Sequence, residues 1–159
     1  HYPYLDFTIF ELVQMNSFVN HLIAQNVVFL SVESVALNLV FDSLKDRYPG
    51  RVLVDPDAEL FHRYRTDHMI VIEKLVTESP RGTDKRWHTG LEKMLVDIVS
   101  DPLLRSSISP SEYPGIYSDA FESCYVDEHS LLRYASRRKS SKKVLELFPI
   151  QKDTWNAKE

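Results

Sequence analysis

Leu91-Glu92-Lys93-Met94-Leu95-Val96-Asp97-Ile98-Val99-Ser100-Asp101-Pro102 is the stretch from which the fold of this chain is best read. Leu91, Met94, Leu95, Ile98 and Val99 recur at helical period, so they form one apolar face that the rest of the chain has to cover. Lys93 and Asp97 lie one helical turn apart on the flank of that face, a spacing at which opposite charges meet, and Pro102 cannot continue the helix. Glu92 borders the apolar face. Either its stem packs while its head stays in water, or it pairs with an arginine from elsewhere.

Upstream, the pattern alternates. Residues 5–12, Leu-Asp-Phe-Thr-Ile-Phe-Glu-Leu, are aromatic and β-branched and read as a strand. Met15, Phe18, Val19, Leu22 and Ile23 then repeat as a helix would, and Val27 to Val32 is a short apolar run that reads as a buried strand. Ser34 is a candidate N-cap for a helix whose face is Leu37, Val40, Phe41, Leu44 and Tyr48, ended by Pro49-Gly50. Arg51 to Asp55 reads as a strand, Pro56-Asp57 as a turn and helix start, Leu60, Phe61 and Tyr64 as a short buried face, and Met69 to Val76 as a further strand. Strands alternating with helices require crossover connections, so residues 5–78 are expected to be α/β with a mainly parallel sheet and flanking helices.

Residues 79–90 carry Pro80, Gly82, Asp84 and Gly90 with little apolar content and read as a loop, the most flexible seam. Beyond it, residues 91–148 read as helical, with 149–159 as a frayed polar tail. Tyr113, Tyr117, Phe121 and Tyr125 recur every fourth residue beside Ile116 and Ala120. Aromatics at that spacing among small apolar residues are core rather than a base-stacking platform. Glu128 to Phe148 is expected to be one last helix, with Leu131, Leu132, Tyr134 and Ala135 buried and a basic cluster on its other side.

Composition bounds the function. A chain of 159 residues with 43% hydrophobic and 26% charged residues is one globular domain of ordinary kind. It has no apolar run long enough to span a membrane and no signal pattern, and its single cysteine, Cys124, fits a reducing cytoplasm. The chain opens on His1, so we expect a trimmed or excised fragment, or a tag remnant at the very start. Net charge is −4, but residues 129–159 hold eight Lys or Arg against three Asp or Glu, and the rest eleven against twenty. The acidic net charge argues against a protein that coats nucleic acid generally, and beneath that average an acidic body carries a basic end.

Taken together, Leu-Glu-Lys-Met-Leu-Val-Asp at 91–97 and Leu-Leu-Arg-Tyr-Ala-Ser-Arg-Arg at 131–138 resemble the C-terminal domain of the AbiE-type abortive-infection antitoxins of type IV toxin-antitoxin systems. Weaker similarity through Leu53-Val54-Asp55-Pro56 and Leu75-Val76-Thr77-Glu78-Ser79-Pro80 extends it over residues 5–148. The resemblance implies a non-catalytic regulatory domain and a cognate nucleotidyltransferase toxin as functional partner. It also implies operator DNA, bound only through an N-terminal winged helix-turn-helix for which this chain has no room ahead of the matching region.

Candidate sites follow from charge. Arg137, Arg138, Lys139, Lys142 and Lys143 are expected to face outward and to meet a partner protein or nucleic acid, or else to be a solvated helix end favoured by the macrodipole. Arg133, between Leu132 and Tyr134, is expected to be partly buried and paired with Glu92 or Asp97. Glu33, Asp55, Asp57, Glu73 and Lys74 should gather beyond the C-terminal ends of the parallel strands, where α/β proteins bind ligands. That placement invites the alternative of a metal-dependent nuclease of the PD-(D/E)xK type, with Pro56-Asp57 as its first half. The second half is missing, because no lysine has Asp or Glu two residues before it, and Glu73 and Lys74 as neighbours point to opposite strand faces. Asp57 then reads as a helix cap and Asp55 as a turn residue. No zinc-ligand spacing, phosphate-cradling glycine loop or nucleophile elbow occurs, so the expectation is no enzyme, no cofactor and no metal.

Overall fold

The computed structural model describes residues 5–149; the tail from residue 150 onward lies outside the described residues. Four strands, β1 (Phe7–Glu11), β2 (Val27–Val32), β3 (Val52–Val54) and β4 (Met69–Lys74), form a sheet of order β1-β2-β4-β3. β2, β4 and β3 are parallel and β1 lies antiparallel to β2, so the chain adopts the expected α/β fold with a mainly parallel sheet.

Side-chain alternation sorts each strand between two cores. Met69 and Val71 of β4 face the larger core with Val27 and Phe29 of β2, whereas Ile70 and Ile72 face the smaller with Leu30 and Val32. Helix α1 (Leu37–Leu44) covers the smaller core through Leu37 and Val40. After β3 comes α2 (Ala58–Tyr64), which buries Phe61 but leaves Leu60 and Tyr64 at the surface, against expectation.

Helix α3 (Leu91–Ser100) lies in the larger core, touched by α4 (Pro102–Ser107), α5 (Tyr113–Ser123), α6 (Glu128–Arg137) and α7 (Ser141–Leu147). Enclosed by these neighbours, it buries every residue from Lys93 to Val99, more than the one face its apolar spacing requires. Pro102 ends α3 and also opens α4. Asp101 caps the new helix, its carboxylate accepting from the Leu103 and Leu104 amides at 2.9 and 3.4 Å, and a proline in the first turn forfeits no helical bond. Tyr117 of α5 is fully buried, donates to the Leu95 carbonyl at 2.6 Å and stacks on Phe121 at 6.3 Å. The aromatic stripe is therefore core as far as α5 runs, and Tyr125 beyond it is 89% exposed. No described helix is long and apolar enough to cross a membrane.

Four local expectations are corrected. The helix expected at 15–23 is a 3-10 turn, Leu12–Ser17, followed by irregular chain. There the Asn16 side chain bonds both the Ile23 amide (2.7 Å) and its carbonyl (3.1 Å), offering the backbone an alternative to the helix. Ser34 is no cap: it opens a 3-10 turn that precedes α1, and Glu33 occupies the position before it. The last helix is two, because Lys139 takes a left-handed conformation (φ 56°) and breaks the chain between α6 and α7. The loop 79–90 is tied down. Arg81 pairs with Asp6 at 2.9 Å, the Ile9 amide donates to the Trp87 carbonyl at 2.6 Å, and Gly90 sits so close that a Cβ there would lie 2.8 Å from the Arg81 carbonyl oxygen.

Candidate functional site

Strand β4 points Glu73 toward α3 because residues 69, 71 and 73 share one face of the sheet. Beneath that end of β4, α3 contributes Lys93 and Asp97, 5% and 4% exposed and joined at 2.5 Å. The Tyr134 hydroxyl of α6 donates to Asp97 at 2.7 Å, and the Arg138 guanidinium approaches Asp97 at 3.6 Å and Asp101 at 3.8 Å. Burial, and then the Asp97 charge, pushes the Tyr134 phenol far above its ordinary range, so it is a fixed donor. One buried and one partly buried cation, two buried carboxylates and one phenol thus lock the two sequence blocks together.

The ion pair expected between these blocks exists with a different arginine. Arg133 is exposed on the outer side of α6, and Arg138, four residues after Tyr134 on the same helical side, turns inward to Asp97. Glu92 meets no arginine either: its carboxylate accepts from the Asp127 amide at 2.9 Å, and Asp127 in turn caps α6 through the Ser130 amide. Flanking apolar residues suggest a buried Arg133, but in a helix immediate neighbours point in different directions. Spacing from Tyr134 was the signal that could have found Arg138.

The strand-end residues do come together. Asp55, Asp57, Glu73, Lys74, Asp101 and Arg138 line one cavity of about 380 Å³ beyond the C-terminal ends of β3 and β4; Glu33 is not among its lining residues. Their hydrogen bonds and ion pairs are mostly local. Asp57 caps α2 by accepting from the Leu60 amide at 2.8 Å, as the sequence suggests, and Asp55 lies 3.8 Å from Lys74 on the sheet's other face. Glu73 and Asp101 are within hydrogen-bonding reach, and burial, reinforced by the Asp101 charge, raises the Glu73 carboxyl well above the usual carboxylate range. A protonated Glu73 can donate to Asp101. Among the described residues, no group of three or more His, Cys, Asp or Glu side chains is placed to hold a metal ion.

The raised Glu73 carboxyl fixes a sign. A carboxyl whose folded value lies above its unfolded value of about 4.3 contributes stability at low pH that is lost as pH rises through the folded value. Glu73→Gln keeps the hydrogen bond and removes the titration. Urea unfolding from pH 4 upward should show the variant gaining on the natural chain as pH rises; parallel curves would show that folding does not raise the Glu73 carboxyl.

The basic run is divided by the fold. Arg137 is exposed but bonded to Glu78 at 2.8 Å, which holds that carboxyl below its usual range with Arg133 adding to the effect. Arg138 is only 21% exposed and belongs to the buried network, a correction to its expected outward role. Lys139 stands at the break, and Lys142 and Lys143 are exposed in the first turn of α7, where the helix dipole disfavours cations. No macrodipole stabilisation explains that lysine pair.

No curated protein and no solved structure matches this chain. DUF6577, a family of unknown function, matches over residues 1–154, a span that takes in the sheet, the strand-end cavity and all the helices from α1 to α7. By that match the chain belongs to the DUF6577 family.

Proposed function

We propose that this chain is the antitoxin domain of an AbiE-like type IV system, a non-catalytic cytoplasmic regulator that counteracts a nucleotidyltransferase toxin. The observation that carries the reading is that the two blocks on which the resemblance rests, 91–97 and 131–138, pack as one buried unit through Asp97, Tyr134 and Arg138. By the resemblance, operator DNA would be bound only through an N-terminal winged helix-turn-helix. The exposed lysines Lys139, Lys142 and Lys143 are the candidate contact surface, set against an acidic body that gives them a contrasting potential.

The test is growth rescue. Expressed with the nucleotidyltransferase encoded beside it, this chain should restore growth without repressing the operon. Changing Lys139, Lys142 and Lys143 together to Glu should weaken rescue while the melting temperature holds, and Glu59→Ala on the acidic side should not. Failure of the folded chain to rescue would sink the assignment.

A second reading has one observation in its favour: Asp55, Asp57, Glu73 and Asp101 line a single cavity at the strand ends. A metal-dependent nuclease would cleave DNA or RNA with Mg²⁺ or Mn²⁺ and lose that activity on Asp55→Asn. Cleavage of that kind would replace the antitoxin reading.

A further inference from the structure

A groove of about 620 Å³ runs between α3, α4, the start of α5 and α7, a volume typical of small-molecule sites. Val99, Pro102 and Leu147 give it an apolar lining, to which α5 adds the ring of Tyr113. Arg105 enters from the last turn of α4 and Lys143 from α7. Both are exposed, and neither side chain has a hydrogen bond or ion pair among the described residues. Arg63, Arg81, Arg137 and Arg138, by contrast, each face a carboxylate.

Tyr113 is partly buried, which raises its phenol, and Arg105 lies close enough to act in the opposite direction, so ring and guanidinium are neighbours. One carboxylate, Glu146 of α7, shares the lining and likewise has no side-chain partner among the described residues. Two free cations beside an aromatic ring suit a flat molecule carrying an anion. A carboxylate in the same groove disfavours a purely acidic peptide. It accepts the hydroxyls of a ribose well, as acidic residues do in dinucleotide sites.

We propose that this groove binds a ribonucleotide, with the base against Tyr113, the phosphates held by Arg105 and Lys143, and the ribose hydroxyls on Glu146. The proposal does not rest on the antitoxin reading, although Lys143 belongs to both surfaces. Neither the strand-end carboxylates nor the buried network takes part in it.

The experiment is calorimetric titration of the chain with ATP, GTP, CTP and UTP, their 2′-deoxy forms, inorganic triphosphate and poly-glutamate. At least one ribonucleotide should saturate a single site. Because a hydrogen bond to a charged group contributes about 1.5–3 kcal/mol, Arg105→Ala or Lys143→Ala should weaken binding about tenfold or more, and Lys45→Ala, at the end of α1 and outside the groove, should change it by less than about twofold. Glu146→Gln should narrow the preference for ribose over deoxyribose. Unchanged melting temperatures establish that each variant is folded. The proposal is overturned if no ribonucleotide saturates at millimolar concentration, if triphosphate or poly-glutamate binds as tightly as the best nucleotide, or if the Arg105→Ala, Lys143→Ala double variant binds like the natural chain.

Discussion

Replacing Asp97 with alanine is expected to lower the stability of the domain by about 3–5 kcal/mol, because it strands a buried cation. Lys93 is 5% exposed, its ammonium is bonded to Asp97 and lies 5.8 Å from the Tyr134 ring centre, and the ring alone cannot replace a counterion. Tyr134 loses its acceptor and Arg138 a neighbouring counter-charge in the same step. The companion experiment changes both partners: Lys93→Met with Asp97→Leu removes the charges together and should recover part of the loss, with a coupling of about 0.5–3 kcal/mol in the double-mutant cycle. Equilibrium urea unfolding of the four chains measures it. Additive losses would mean that the two side chains do not depend on each other.

Leu95→Ala should cost about 2–5 kcal/mol through the cavity it leaves at the centre of the larger core. Leu95 is fully buried, and its carbonyl also receives the Tyr117 hydroxyl at 2.6 Å, which fixes α5 against α3 and restrains collapse around the missing atoms. Limited relaxation places the expected value in the upper part of that range. A fall below about 1 kcal/mol would show that the helices close over the gap, and that α3 is less firmly held than its burial implies.

Periodicity carried most of the architecture. The apolar run 27–32, the alternation through 69–74 and the helical spacing of 91–99 each report burial directly, and burial is what builds strands and helices. It failed where side chains bond to backbone: Asn16 holds Ile23 out of a helix that Phe18, Val19 and Leu22 would otherwise suggest. It failed again at Lys139, where one left-handed residue divides what looks like a continuous basic helix and re-aims everything after it. The strand-end carboxylates were legible because topology alone gathers them. Arg138 was not, since choosing between Arg133 and Arg138 needs the direction of a helix face relative to α3. The groove was invisible for a similar reason: Arg105, Tyr113 and Lys143 come from three helices whose packing no local pattern records.

The tied loop bears on how this protein can be recognised at all. An outer strand normally offers unpaired amides and carbonyls on which another chain can build. On β1 most of those groups are taken: the Phe7 carbonyl accepts from Arg81, the Ile9 amide and carbonyl bond to Trp87 and Thr89, and the Glu11 amide donates to Gln14. At the opposite margin, β3 is only three residues long. Strand addition, by a binding partner or by a second copy drifting toward a fibre, therefore finds little template on either margin. Whatever this protein meets must read its helices and side chains.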